Sequence, residues 1–330
     1  MTTMSIRILS ARDIRRALPM GEAVAAMKEA FTELSAGRVN MPARAHIDVA
    51  AHGGTALFMP SQADRFGKIG LKVVNLFDGN AAKGLPRIQG LVCLFDGATG
   101  RPLAVLDGTC LTALRTGAAS GTATDLLARP EAATVAIFGA GVQARTQLEA
   151  VCAVRPIRRG RVFDPAADAA ATFATEMGET LGIDVTVAPS PRDALQGADV
   201  VCAATVSPTP VFADADLAPG AHINAVGSYK PDVQEIPEET VLRALLIVDH
   251  RESALAETGD LIIPIEKGLM QASDIHAELG EIAAGKASGR TSESQITLFK
   301  SVGVAIQDLA AAAHAFESAK HQGLGEIVEM

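Results

Sequence analysis

The stretch Ala133-Thr134-Val135-Ala136-Ile137-Phe138-Gly139-Ala140-Gly141-Val142-Gln143-Ala144 decides the fold. Its first six residues are a compact apolar run of strand length, and a Gly-x-Gly-x-x-Ala turn follows without a spacer. The first glycine permits a tight turn, and the second lets a phosphate approach the backbone. The small Ala144 lets the next helix sit close on the strand. A helix opening here aims its N-terminus at an anion. Any glycine-rich turn can match so short a motif, and its weight comes from the strand before it and the helix after it. The expectation is a dinucleotide-binding turn made by Gly139, Ala140, Gly141, Val142 and Gln143.

Working outward, residues 161–164 form the next strand, and Asp164 closes it 23 residues after Gly141. A carboxylate there accepts hydrogen bonds from the adenosine ribose hydroxyls and repels a 2′-phosphate. NAD(H) is therefore favoured. NADP(H) stays as the alternative, because Arg161 softens the preference and Asp164 also suits a turn before Pro165. Strand patterns at 184–188, 199–205, 222–226 and 245–249 alternate with helical ones, among them 143–153 and 166–178. That rhythm belongs to βαβ units in a parallel, doubly wound sheet. Thr205, Val226, Gly227 and Ser228 fall at strand C-terminal ends, which line the ligand crevice of such sheets.

Before the turn the rhythm differs. Residues 111–127 read as a helix rich in small side chains. Strands at 45–49, 56–59, 69–74, 89–95 and 102–106 follow one another with only turns between them, which implies an antiparallel or mixed sheet. A helix starts at residues 10–13. A stronger one, 21–36, places Val24, Met27, Ala30, Phe31 and Leu34 on one face and ends at Gly37. The last helix, 302–321, follows the alternating region and is expected to return to the N-terminal sheet. The fold class is α/β: a Rossmann-type doubly wound sheet over 116–303, and an α+β domain with a mixed sheet over 1–115 and 304–330.

A chain of 330 residues suits about two domains. With 48% apolar and 20% charged residues it can bury a sizeable core. The net charge of −9 argues against a general nucleic-acid or anionic-membrane binder, since both need a basic surface. Cys93, Cys110, Cys152 and Cys202 lack CxxC spacing and read as buried reduced thiols, and no metal site is expected. Residues 1–20 lack the apolar core of a secretory signal, and no run of about 18 apolar residues exists, so a cytoplasmic protein is expected.

Arg44, Lys72 and Arg115 stand in apolar surroundings. Taken singly, each reads as a solvated or snorkelling cation. Their neighbours say more. Pro42-Ala43-Arg44, Met59-Pro60, the block 70–75, Leu111-Thr112-Ala113-Leu114-Arg115-Thr116-Gly117-Ala118-Ala119-Ser120, the turn 139–144, His222-Ile223-Asn224-Ala225-Val226-Gly227-Ser228, the block 257–261 and the block 303–308 occur in this order. Through them the chain resembles the ornithine cyclodeaminase/mu-crystallin family nearly end to end. The resemblance implies a homodimer paired through the sheets of the substrate domains. It also implies that Arg44, Lys72 and Arg115 surround the carboxylate of an amino or imino acid. Thr116 and Ser120 would lie near the cofactor phosphates, and Asp308 near the nicotinamide.

Within that family the chain departs from the cyclodeaminase pattern twice. Leu57 stands where cyclodeaminases carry an acid, two positions before Met59-Pro60. Tyr229 replaces the aspartate of their Gly-Asp-Cys-Pro-Gly-Lys stretch. Ornithine has a distal ammonium that needs a carboxylate, so the two losses favour a substrate with an uncharged tail. The leading expectation is NAD(P)H-dependent reduction of a small 2-imino acid, of which a Δ1-pyrroline-2-carboxylate-type ketimine giving L-proline is the concrete case, or the reverse amino-acid oxidation. Arg44 and Arg115 would hold the carboxylate, and Lys72 would stabilise it or relay a proton. Tyr229 would line the pocket or orient a water, against a reading as a rim residue without chemical role. The alternatives are a cyclodeaminase-type lyase, a hydroxyproline dehydratase, and a non-catalytic ligand-binding protein.

Overall fold

The computed structural model describes residues 5–329. Residues 1–4 and 330, which the sequence assigns to the first domain, lie outside the described residues. The chain divides into two compact units, Met1–Arg115 with Val304–Met330, and Thr116–Gly303.

The first unit is built on a mixed sheet. Its strands are β1 (Ser5–Leu9), β2 (Val39–Asn40), β3 (Ala45–Val49), β4 (Gly54–Ala63), β5 (Lys68–Phe77), β6 (Ile88–Asp96), β7 (Pro102–Asp107) and, from the chain's last segment, β16 (Glu326–Glu329). The order is β16-β1-β7-β6-β5-β4-β2, with β3 also on β4. Only β1 and β7 run parallel; the other pairings are antiparallel. Strands β1, β2 and β16 were not anticipated. Each is short and lies at or near a sheet edge, where strong apolar alternation is not required.

Side chains alternate along β5, so Gly70, Lys72 and Val74 are buried while Ile69, Leu71 and Val73 turn to the other face. The buried face is covered by α11 (Ala305–Gln322), which lies on β4, β5 and β6, and α2 (Met20–Ser35) packs on α11. The last helix does return to the N-terminal sheet. Ahead of α2, α1 (Ala11–Ala17) starts on a capping box in which Ser10 and Asp13 satisfy each other's backbone N–H.

The helix α3 (Gly108–Leu127) carries Arg115 at the end of one unit's chain and Thr116 at the start of the other's. The second unit is an eight-stranded, wholly parallel sheet of β8 (Thr134–Phe138), β9 (Arg159–Phe163), β10 (Asp184–Val187), β11 (Val200–Ala203), β12 (His222–Ala225), β13 (Leu245–Val248), β14 (Ala277–Glu278) and β15 (Thr297–Lys300). The order is β10-β9-β8-β11-β12-β15-β13-β14. The chain winds outward from β8 in both directions, so the switch point falls between β8 and β11. Ligands bind such sheets at the strand C-termini there. The helices include α4 (Val142–Val154), α5 (Ala167–Leu181), α6 (Pro191–Leu195), α7 (Glu238–Arg243), α8 (Arg251–Glu257), α9 (Gly259–Glu266) and α10 (Leu279–Ala283).

The sequence did not announce β15, which lies between β12 and β13 with all four residues buried. Its last residue is Lys300, a poor strand-core signal, and the charge is met inside the protein by Asp260 at 2.7 Å. The His222 block is held structurally. His222 hydrogen-bonds Thr297 (2.8 Å) and Asn224 (3.2 Å), and Asn224 donates to Thr124 at 2.9 Å. Burial pulls the His222 imidazole down to about 3, so it stays neutral. None of the four cysteines forms a disulfide. Cys202 is buried as expected, whereas Cys93, Cys110 and Cys152 are only half-buried. No helix among the described residues is long and apolar enough to cross a membrane.

Candidate active site

In the first unit a charged cluster forms on the buried face of the sheet. Lys72 projects inward from β5, and the first turn of α11 brings Asp308 to it, Nζ to Oδ2 at 2.7 Å. Both side chains are 2% exposed. The other oxygen of Asp308 accepts from Arg115 Nε at 3.0 Å, and Arg115 Nη1 donates to Gln307 Oε1 at 2.7 Å. Gln307 Oε1 also accepts the Val304 N–H at 3.1 Å, which fixes it at the helix start. Asp308 and Gln307 thus take Nε and Nη1 of Arg115. An aspartate in the first turn of a helix gains from the exposed N–H dipoles there.

Burial pulls the Lys72 ammonium down from its ordinary 10.5 to about 8; the attraction of Asp308 opposes this, while Arg115 and Arg44 add to it. Arg44, half-buried in the segment before β3, is therefore close enough to feel the Lys72 charge. The structure brings Lys72 and Arg115 together through Asp308, with Arg44 nearby. Tyr229 belongs to the second unit, half-buried after β12.

An apolar wall stands on the same side of the sheet. Leu57 and Met59 on β4 pair with Val74 and Lys72 on β5, so all four share one face. Met41, Leu57, Leu76 and Ile88 pack around buried Met59, Val74 and Ala305. Leu57, which stands where an acid would serve a charged tail, is thus part of an apolar group.

In the second unit the glycine turn lies at the switch point. Gly139 has φ +99°, and a Cβ on it would lie 2.7 Å from the Ala204 carbonyl after β11. Only glycine fits both constraints. Gly141 caps α4, and Val142 is 63% exposed at the helix N-terminus. Asp164, just beyond β9, accepts the Ala140 N–H at 2.9 Å and the Ala166 N–H at 2.8 Å, one on each oxygen. Its carboxylate is thereby fixed beside the turn with lone pairs to spare. Arg161 donates to the Gln196 carbonyl.

Thr116 and Ser120 are buried on α3, and Ser120 Oγ has no hydrogen-bond partner. The Oε1 atom of Gln143 is a second buried polar atom without a partner. Buried polar groups are seldom left so. A helix N-terminus led by Gly141, a turn that only glycine can make and unmatched polar atoms fit a bound dinucleotide. Thr205, Val226, Gly227 and Ser228 follow β11 and β12. Thr205 and Gly227 bond to Glu235, and Ser228 Oγ to Val233 O at 2.6 Å and Thr258 at 3.0 Å.

Sequence reading missed Gln307, Glu235 and Lys300. Asp260 and Gln307 stood inside blocks that carried the family resemblance, but nothing in their spacing marked a role. The resemblance placed Asp308 near the nicotinamide; its visible partners are Lys72 and Arg115.

Comparison with known proteins bears on what this chemistry serves. The model of the ornithine cyclodeaminase/mu-crystallin family matches residues 4–323. The chain is 42% identical over 323 residues to a Delta(1)-pyrroline-2-carboxylate reductase from Bacillus cereus, covering 98% of this chain and 99% of that one. Its fold is similar to that of Thermococcus litoralis Delta(1)-pyrroline-2-carboxylate reductase in complex with NADH and L-proline, with TM-score 0.93, 43% identity, and 97% and 99% of the two chains covered. An archaeal alanine dehydrogenase dimer with bound NAD gives TM-score 0.92 at 36% identity, covering 98% and 99%.

Proposed function

This chain belongs to the ornithine cyclodeaminase/mu-crystallin family, and from that premise we propose that it is an NAD(H)-dependent oxidoreductase that reduces Δ1-pyrroline-2-carboxylate to L-proline in the cytoplasm. The observation that carries the reading is the buried Lys72–Asp308–Arg115 cluster on the sheet face that also carries the apolar group around Met59. The likeness to two pyrroline-carboxylate reductases supports it.

Arg115 and Arg44 hold the substrate carboxylate, and this orientation is most of what such a site must provide. Bound NADH supplies the hydride for the C=N carbon. Lys72, titrating near 8, gives the matching proton to the ring nitrogen as that carbon is reduced. Leu57 and its neighbours receive the ring methylenes. Gly139, Ala140, Gly141, Val142 and Gln143, with Thr116 and Ser120, hold the cofactor phosphates. Asp164 takes the adenosine ribose, and Thr205, Val226, Gly227 and Ser228 lie along the crevice. Tyr229 directly follows Ser228, beyond the end of β12.

Purified protein with Δ1-pyrroline-2-carboxylate is expected to oxidise NADH stoichiometrically with proline formed, and to bind NADH more tightly than NADPH. Absence of turnover with this imine would overturn the substrate assignment, and tighter NADPH binding the role of Asp164.

A homodimer is part of the same reading. The sheet face away from α11 carries the cross-strand row Ile8, Val105, Cys93, Leu71 and Pro60, with Leu91 53% and Ile69 37% exposed beside it. So continuous an apolar face marks an interface. A Leu91→Lys variant is expected to sediment as a monomer where the parent sediments as a dimer; a parent that is itself monomeric would refute this assembly.

A further inference from the structure

Below the loops that follow β11 and β12 lies a buried charged cluster that the proposed reduction does not use. Glu235 is fully buried. Its Oε1 accepts both the Thr205 N–H and the Thr205 hydroxyl at 2.7 Å, and its Oε2 accepts the Gly227 N–H at 2.8 Å. One layer deeper, Asp260 Oδ1 accepts the N–H groups of Glu235 (2.6 Å) and Ile236 (3.0 Å). Its Oδ2 is 2.7 Å from Lys300 Nζ, both side chains being at most 1% exposed. Asp260 thus pairs with a buried ammonium whose charge Glu235 also feels, an arrangement that does not in itself favour stability. Gly227 is tied to it sterically: a Cβ there would lie 2.4 Å from Glu235 Oε1.

The position of the two tied loops gives the cluster its meaning. Asp164 follows β9 and the glycine turn follows β8, so on the NADH reading these strand ends would hold the adenosine half and the pyrophosphate. The next strands in the sheet are β11 and β12. Their C-terminal loops are therefore the ones that would receive the other half of the cofactor.

We propose that Glu235 is a positioning residue for the nicotinamide half of the dinucleotide, its carboxylate tying the loop after β11 to the loop after β12 in the shape that binds it. The inference rests on the NADH reading of this site. A carboxylate is needed because three donors from two loops converge on two oxygens. An amide offers one oxygen and sets an NH2 group against a remaining donor. Protonation has a related effect. Burial raises the Glu235 carboxyl above its usual range, Asp260 on α9 adds to this, and Lys300 on β15 and the Thr205 donors oppose it. The tie is intact above that raised titration and loosens as pH falls through it.

The test is NADH affinity and steady-state kinetics of wild type and Glu235→Gln across pH. The variant is expected to bind NADH about tenfold more weakly, the size of one lost charge-assisted hydrogen bond, with the loss falling on KM for NADH more than on kcat. Wild-type affinity is expected to weaken toward acid, and that of the variant to stay flat. Unchanged affinity with the wild-type pH profile would overturn the proposal, and so would a lowered Tm without any change in NADH binding. If Glu235→Gln does not fold, wild type alone carries the test: weaker NADH binding toward acid must accompany reduced exchange protection of the Thr205 and Gly227 amides, and a pH-independent Kd overturns it. A wild type that binds no NADH at any pH refutes the reading beneath and this inference with it, so the two failures are distinguished by wild type.

Discussion

Replacing Lys72 by methionine is expected to lower kcat for imine reduction by about 10²- to 10⁴-fold, the usual contribution of a positioned proton donor. The side chain keeps its length and apolar stem and loses only the ammonium. Asp308 keeps Arg115 as its partner, so the carboxylate clamp survives and KM for the imine changes less than kcat. Lys72 titrates at about 8, lowered mainly by burial. With the ammonium as donor, the wild-type reductive rate is expected to be present below about 8 and to be lost as pH rises through it. Steady-state NADH oxidation across pH measures both effects. A methionine variant with wild-type kcat, or one retaining the alkaline fall, would remove Lys72 from proton transfer.

Asp308→Asn is expected to have the larger effect on stability. It leaves the Lys72 and Arg115 cations next to each other, 2% and 7% exposed, without the carboxylate that separates them. Removing one partner of a buried ion pair typically costs about 3–5 kcal/mol, because the remaining charge stays desolvated. The Lys72 titration moves further down, since the attraction that opposed burial is gone, and the alkaline fall in activity of the variant moves to lower pH. Denaturant melts give the cost. The double variant Lys72→Met/Asp308→Asn is expected to lose less than the sum of the single losses. Additive losses would mean that the two side chains do not depend on each other.

How much of this the sequence disclosed depends on distance along the chain. The turn at Gly139, the strand before it and Asp164 are local signals, each set by short-range geometry, and the second sheet could be read from them. Strands β4 to β7 could be read because one face of each is apolar. Strand β15 could not, since Thr297-Leu298-Phe299-Lys300 is short and ends in a lysine whose partner Asp260 belongs to another element. Arg44, Lys72 and Arg115 were named through resemblance; spacing alone left each as an ordinary cation. What bound two of them together was invisible, because Asp308 meets Lys72 and Arg115 only once α11 lies on the sheet. Glu235 had no local signal either. Its partners Thr205 and Gly227 come from separate strand ends, and a lone glutamate before Ile236-Pro237 reads as a solvated loop residue.

The first unit is assembled from the two segments that flank the second, and this sets an order on its making. As the nascent chain leaves the ribosome, β1 to β7 emerge first and the complete parallel sheet follows. Only then come Val304 and the helix that bears Asp308. Domains tend to fold as they emerge, so the nucleotide-type sheet can close around its own core while the earlier strands still lack a cover. During that interval Lys72 and Arg115 have no carboxylate, and the apolar face meant for α11 is open to chaperones or to aggregation. The Lys72–Asp308–Arg115 cluster can therefore form only after the whole parallel sheet has been made, once translation has run past residue 308.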